Sequence, residues 1–536
     1  MDLRTEVIEW IADDPDSVTA AQLQHWLDTN NEAELRTSFS GFLQFGTAGL
    51  RGPVRPGPSG MNRAVVGRTA AAIAAYMKER GLTSVVIGRD ARHGSEDFTF
   101  ETAQIMSGAG MRVYILPRAL PTPVLAFATN ELKCDVGIMV TASHNPPQDN
   151  GYKVYLGGTV DGIHYRGSQI VSPTDESIAS HIDAVKKLAL QPRSDQWEIV
   201  SEDIVEKYVS TTAAIATKPG DLKIVYTAMH GVGTETLLRV FHKAGFVSPI
   251  LVDAQAHPDP DFPTVVFPNP EEPGAIDLAL ETARAFAADL VIANDPDADR
   301  CAAAVNDPTI GWRMLRGDEL GAILGEIIAR NSTHGILANS IVSSTILSKI
   351  ATHYNLQFKQ TLTGFKWLAK IDGLTFGYEE ALGYAVDAIT VNDKDGISAA
   401  IKLAQIATDL ASEGKTLLDL LDEIWARHGF HATEQISIRL IELSQVGTIM
   451  GHLRNNPPAQ IAGHRVTSIE DLSTPTDDLP STDGLRIWLD GTIRIIIRPS
   501  GTEAKMKCYI EVIEKDSASA QIVLDHLRAP LKELLS

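Results

Sequence analysis

The sequence predicts an α/β protein of three or four domains that ends in antiparallel strands. Three observations carry this expectation. At 536 residues the chain exceeds what one ordinary core supports. Short apolar runs of the buried-strand kind alternate with helical stretches, the rhythm of parallel βαβ units. Over roughly the last hundred residues that rhythm gives way to alternating runs, Thr433–Leu440 and Ile493–Ile497, suited to strands with one packed face.

Taken in order, residues 1–40 read as polar helices capping the first domain. A helix runs from Met61 to about Arg80 and closes at Gly81. Ser84–Gly88 and Val113–Leu116 read as strands, and Asp135–Val140 as a buried strand ending at Thr141. Residues 172–200 are polar and helix-rich. Strand, glycine turn and helix restart at Leu222–Gly233, and Asp289–Ala293 is the next buried strand. Turn signals over 306–316 mark a boundary. A helix over 317–330, a strand over 335–339, a Ser-capped helix, a strand-like run before Phe376 and a long helix from Asp395 follow. A Pro- and Asp-rich loop spans 473–483. The expected domains are 1–217, 218–311, 312–432 and 433–536, the first three α/β and the last α+β.

Composition narrows the function classes. A formal charge of −21 disfavours nucleic-acid binding, which needs a basic stripe. Any phosphate site must then be a local basic focus, for which Arg51, Lys153, Arg300, Lys394, Arg498 and Lys505 are the candidates. Cys134, Cys301 and Cys508 are far apart, which suggests a reduced, cytoplasmic setting and argues against zinc. The charged N-terminal stretch does not read as a signal peptide, and no apolar run suits a membrane span.

Four loops hold the chemistry. Thr141-Ala-Ser-His-Asn-Pro-Pro-Gln-Asp-Asn-Gly151 presents the Ser143 hydroxyl, beside His144, at the carboxyl end of a strand, where ligands of open α/β sheets bind. Asn294-Asp-Pro-Asp-Ala-Asp-Arg300 alternates Asp295, Asp297 and Asp299. On an extended loop these carboxylates point to one side and need a hard cation such as Mg²⁺ or Ca²⁺. An EF-hand is excluded, since the Gly and closing Glu are missing. Phe376-Gly-Tyr-Glu-Glu-Ala-Leu-Gly-Tyr384 places Glu379 and Glu380 among aromatics, which suits sugar hydroxyls as well as an ordinary surface turn. Arg498-Pro-Ser-Gly-Thr-Glu-Ala-Lys505 follows a strand-like run and gathers Arg498, Ser500, Thr502 and the Gly501 N–H into an anion nest.

In this order the four segments resemble the α-D-phosphohexomutase family, the phosphoglucomutases and phosphomannomutases. Phe45-Gly-Thr-Ala-Gly-Leu-Arg-Gly52, Gly88-Arg89-Asp90 and Thr363-Gly-Phe-Lys366 are similar to further family motifs. The resemblance implies three related α/β domains with mixed sheets and a smaller fourth domain around a central cleft. It implies a phosphoserine at Ser143 that transfers phosphoryl groups between O1 and O6 of a hexose. Glucose 1,6-bisphosphate would be the intermediate and activator, and Mg²⁺ would sit on Ser143, Asp295, Asp297 and Asp299. Lys153 matches the family's lysine as general base, in a cationic cleft that would lower its pKa. Arg51, Arg89 and Arg300 would neutralise phosphoryl oxygens. Lys394 is a second acid/base candidate, and His144 either acts beside Ser143 or braces its loop. Thr363, Gly364, Glu379 and Ala381 would meet the sugar, and Arg498, Ser500, Gly501, Thr502 and Lys505 its distal phosphate, with the fourth domain hinging to close the cleft.

Arg89 and Asp90 fit a structural ion pair as well as a phosphate contact. Tyr378 and Tyr384 fit packing as well as sugar contact. The sugar loop lacks the Glu-Met-Ser-Gly-His pattern of phosphomannomutase-type members, and the metal loop has Pro296 and Ala298 where many members have Gly. These departures resemble the branch holding phosphopentomutases and some bacterial phosphoglucomutases. Glucose phosphate is therefore the expected substrate, with pentose or mannose phosphate as alternatives and a non-catalytic phosphosugar-binding protein as a remote one. A monomer or homodimer is expected.

Overall fold

A computed structural model describes residues 2–477, 479–499 and 505–536. The chain divides into two compact units. The first runs to Leu315 and includes Ala369–Asp372 and Ala381–Asp409; the second comprises Arg316–Leu368, Gly373–Glu380 and Leu410–Ser536.

Three short helices, Leu3–Asp13, Ser17–Asp28 and Glu32–Ser38, open the first unit. Each starts on a side-chain cap, from Asp2, Asp16 and Asn31. The main sheet follows in the order Leu50–Pro53, Asp149–Leu156, Val136–Val140, Ser84–Arg89, Arg112–Ile115, Glu198–Ile199. The last four run parallel, and Asp149–Leu156 is antiparallel to both of its path neighbours. Val136–Val140 is wholly buried, as expected of a strand covered on both faces. The antiparallel return pairs Val140 with Tyr152 and Met139 with Lys153, so the Ser143 loop and Lys153 share one end of the sheet. Gly49 is required here: at φ +78° a Cβ would lie 1.8 Å from Tyr152 O.

A second sheet orders Ile250–Leu251, Ile224–Thr227, Leu290–Ala293, Ala302–Asp307, Gly311–Met314, the first three parallel and the last two antiparallel. The turn signals near 306–316 therefore lie inside a hairpin. The second strand of this hairpin, Gly311–Met314, lies at the boundary expected after residue 311, and the first unit runs to Leu315. Ala369–Asp372 and Ala381–Asp409 pack with the first unit.

The second unit places Gln357–Thr361, Ile336–Ser340 and Leu374–Glu379 side by side in parallel. The helix Ile346–His353 has Thr345 at its N-cap with no side-chain cap, so the expected serine cap is not formed; Ser344 Oγ, one residue earlier, accepts from Ile346 N. Phe376–Glu379 belong to a strand and not, as expected, to a loop; the turn covers only Glu380–Leu382. The C-terminal sheet is antiparallel throughout, in the order Phe430–Arg439, Lys505–Glu514, Ile493–Pro499, Leu485–Leu489, His464–Asp471, Gln460–Ile461. Its inner face packs with Leu524, Leu527 and Leu531 of the helix Ser517–Leu534. Among the described residues no helix is long and apolar enough to cross a membrane. All three cysteines are buried and unpaired.

A buried charge network fastens the C-terminal sheet to the loop after Ser340. Glu511 accepts from Ser344 Oγ (2.6 Å), Thr345 N (2.7 Å) and His431 Nδ1 (2.9 Å), and pairs with Arg494 at 3.0 Å. Arg494 also donates to Ile341 O and Ser343 O. Ile341, Val342, Leu362, Leu472, Ile496 and Tyr509 form an apolar cluster alongside. This bond set holds the C-terminal sheet on that loop in a dry interior. Burial alone would raise the Glu511 carboxyl, but Arg494, His431 and Ser344 hold it down at about 2.

Removing one partner leaves an uncompensated buried charge, so Arg494→Met should destabilise the second unit by about 3–5 kcal/mol in urea unfolding. Glu511 titrates lower folded than unfolded, so its contribution is complete above about pH 4.5 and fades toward about pH 2. The gap between variant and wild type should narrow over that range. A variant with the wild-type midpoint at neutral pH would refute this role for the network.

Candidate active site

The serine loop and the acidic loop meet in the first unit. Ser143 is 2 % exposed, and its Oγ donates to Asp295 Oδ2 at 2.9 Å. His144 Nδ1 lies 3.2 Å from the same oxygen. Ser143 has a φ of +53°, a left-handed conformation unusual for a residue with a Cβ, and its N–H is held by Thr141 Oγ1 at 2.9 Å. Arg51 reaches the loop through Asn145 Oδ1 at 3.1 Å.

Asp295, Asp297 and Asp299 are fully buried, and one carboxylate oxygen from each lies within 4.8 Å of the others. The loop is a tight turn and not the extended stretch expected, with Ala298 at φ +54° and Ala298 N bonded to Asp295 O. It is clamped from several sides. Asn294 Nδ2 donates to Arg300 O, Arg300 N donates to Asp295 Oδ1, and Thr122 bonds Asp297 through both N (2.9 Å) and Oγ1 (2.5 Å). Gly396 lets the backbone of Arg300 approach, since a Cβ there would sit 2.1 Å from Arg300 O.

Two buried lysines balance the carboxylates. Lys153 Nζ lies 2.7 Å from Asp297 and 2.8 Å from Asp299, and Lys394 Nζ 2.6 Å from Asp299. Lys153 thus rests on carboxylates and not in the cationic surroundings expected for it. Arg300 Nε is 3.8 Å from Asp295 and 3.9 Å from Asp299. Against the upward push of burial, Lys153, Lys394 and Arg300 hold Asp299 far below the usual carboxylate range. Burial and the other two carboxylates push Asp295 up, to about 8. Burial, then Arg300 and Arg51, depress His144 well below its ordinary value and keep its ring neutral at pH 7. Lys394 is raised despite burial, by Asp299 and Asp393.

The donor set fits a hard divalent cation. Asp297 Oδ1 and Asp299 Oδ1 are buried without a hydrogen-bond partner, and the three grouped ligand atoms are carboxylate oxygens. Mg²⁺ is consistent with that set, held by the three aspartates with Ser143 Oγ adjacent.

In the second unit, Arg498 bonds Thr363 Oγ1 through Nη1 and lies 3.4 Å from Thr482 Oγ1 through Nη2. Gly364 N donates to Glu379 Oε1 at 2.6 Å. Lys505 opens the strand after the phosphate loop, while Ser500, Gly501 and Thr502 lie outside the described residues. Glu380 is tied to Ser340 and Ser343, each at 3.0 Å, so it braces the turn. Tyr378 and Tyr384 are fully buried packing residues, and Tyr378 donates to Asp318. Ala381 groups with the first unit. Arg89 pairs with Glu96 at 2.7 Å, and Asp90 pairs with Arg92. Sequence reasoning missed Arg92, Thr122 and Asn145. Arg92 sits two residues past Asp90 and Thr122 between two prolines, and neither pattern by itself signals a site.

Residues 43–188, 203–311 and 316–428 match, in turn, the alpha/beta/alpha domains I, II and III of phosphoglucomutase/phosphomannomutase. The chain is 48% identical to a Haemophilus influenzae protein named probable phosphomannomutase, over 89% of this chain and 98% of that one. It is 33% identical to phosphopentomutase of Mus musculus (99% and 93% covered) and to phosphoglucomutase of Staphylococcus haemolyticus (94% and 95%). A solved phosphoglucomutase/phosphomannomutase family protein from Burkholderia thailandensis shares the fold, with a TM-score of 0.72 at 19% identity over 91% of this chain and 97% of that one.

Mn²⁺, a paramagnetic stand-in for Mg²⁺, should bind the wild-type chain at one site by electron paramagnetic resonance. Asp297→Asn should weaken it at least tenfold. Thr122→Val, which removes only the hydroxyl braced on Asp297, should weaken it by about tenfold to a hundredfold. Undiminished Mn²⁺ affinity in Asp297→Asn would show that the ion binds elsewhere.

Proposed function

The chain belongs to the phosphoglucomutase/phosphomannomutase family, whose members are phosphotransferase isomerases, and from that premise we propose that it interconverts glucose 1-phosphate and glucose 6-phosphate through a phosphorylated Ser143. One observation carries the reading: a buried serine hydroxyl lies 2.9 Å from a triad of buried carboxylates flanked by cations. Transfer breaks the bond from phosphorus to Ser143 Oγ and forms one to a sugar hydroxyl oxygen. The hydroxyl proton passes to a base, for which Lys153 is the first candidate and Lys394 the second. Returning the other phosphoryl group of a glucose 1,6-bisphosphate completes the isomerisation. Bound Mg²⁺ supplies charge neutralisation at the transferring group. Arg51 and Arg300 add fixed positive charge that needs no reorganisation during the reaction.

The phosphate that is not transferred needs its own donors, and Arg498 with Thr363 supplies a guanidinium and a hydroxyl for it. Ser500, Gly501, Thr502 and Lys505 complete this nest in the reading, and Gly364, Glu379 and Ala381 meet the sugar. Glucose is favoured over mannose because the sugar loop has no His. Mannose phosphate is the second reading, favoured by the name of the 48% identical relative.

Ser143→Ala should fold normally, take up no phosphoryl label and lose nearly all mutase activity. Wild-type turnover in that variant would end the phosphoserine reading. Arg498→Ala should raise the Michaelis constant about tenfold to a hundredfold, the worth of one charge-assisted bond pair, with a smaller change in kcat. An unchanged constant would place the distal phosphate elsewhere. Assays of one preparation with glucose, mannose and ribose phosphates decide the substrate; kcat/KM highest for mannose 1-phosphate would overturn the glucose assignment.

A further inference from the structure

Arg92 lies outside every loop considered above, yet its guanidinium sits inside the serine loop. Nη2 donates to Ser143 O at 2.5 Å and to Asn145 O at 2.6 Å; Nη1 donates to Pro146 O at 2.9 Å and to Asp149 O at 3.2 Å. The side chain is buried, its residue 4 % exposed. Nε lies 3.3 Å from Asp90 Oδ2, and the ring of Phe262 covers the guanidinium at 4.9 Å. Thus backbone oxygens from the beginning, middle and end of the loop converge on one planar cation. Only Arg offers donors in that fork; a Lys ammonium is a point with three donors.

The placement matters because of the Ser143 backbone. Its φ is +53°, so surroundings must hold it. Thr141 Oγ1 takes the N–H of Ser143, and Arg92 takes its carbonyl, which fixes the residue from both sides. A strand-end loop that bears a nucleophile has no ladder hydrogen bonds of its own to do this.

We propose that Arg92 is a positioning residue for phosphoryl transfer: it fixes the backbone of residues 143–149 so that phospho-Ser143 is aimed at the acceptor hydroxyl. This rests on the phosphoserine reading above. A carrier freed by even 1 Å loses alignment with the acceptor, which is worth about a hundredfold in rate. Water needs no such alignment, so hydrolysis of the phosphoserine is not slowed with it.

The test loads Ser143 of the full-length enzyme from [³²P]glucose 1,6-bisphosphate, removes free sugar, adds unlabelled glucose 1-phosphate as acceptor, and follows the label to glucose 1,6-bisphosphate and glucose 6-phosphate or to inorganic phosphate in single turnover. Arg92→Lys should still take up label, transfer it about a hundredfold more slowly, and shift the partition toward inorganic phosphate. In steady state kcat should fall while the Michaelis constant stays within about threefold. Guanidinium ion added to Arg92→Ala should restore part of the transfer rate. A folded Arg92→Lys enzyme with wild-type transfer and partition overturns the proposal, as does a loss confined to the Michaelis constant. Asp90→Asn is the second variant, informative even if the Arg92 variants fail to fold. It removes the paired charge and leaves the four carbonyl bonds, so transfer should stay within about threefold. A hundredfold loss there would mean that the ion pair, and not the carbonyl clamp, sets the geometry, and would overturn the assignment. Failure of the wild type to label Ser143 would instead sink the phosphoserine reading itself.

Discussion

The acidic turn sets one electrostatic constraint on the first unit: carboxylates buried together on one short turn stay charged only where positive charge is built in beside them. The fold meets this with Lys153 from the sheet and Lys394 from the segment before the helix Gly396–Ser412. The second lysine is itself fixed. Asp393 takes the Lys394 N–H and a hydrogen bond from Gln169, and Asp395 is held by Tyr208 and caps the helix. The sequence gap between the acidic turn and Lys394 is closed by backbone, through Cys301 N to Leu382 O and the close approach at Gly396. The same constraint explains Thr122, which ties the turn to the start of the helix Thr122–Glu131.

What could be read in the sequence is what local pattern controls. The Val136–Val140 and Leu290–Ala293 strands are continuous apolar runs, and a strand buried on both faces must look like that. The candidate loops follow such runs, so Ser143 and the aspartates stand out in the sequence as polar groups at the ends of buried strands. The helix Gly317–Arg330 and the alternating C-terminal strands were equally plain.

What could not be read is what distant pairing controls. Nothing local says that Gly311–Met314 turns back on Ala302–Asp307, because a turn within a hairpin and a turn between domains use the same residues. The surroundings of Lys153 escape a local reading for the same reason: its partners lie far along the chain. Arg92 and Thr122 act through backbone atoms and a single hydroxyl, which leave no compositional trace. The buried junction of Glu511, Arg494 and His431 joins residues from three strands and a loop, and only the folded register brings them together.

The way the two units share the chain has a consequence for synthesis. The first unit needs Ala369–Asp372 and Ala381–Asp409, and Lys394 among them balances its buried charge. A nascent chain that has emerged only as far as the hairpin after Ala302 therefore holds three buried aspartates short of one of their cations. The second unit is interrupted by these same segments. Neither body is a continuous run of sequence, so each waits on segments made later than those that begin it.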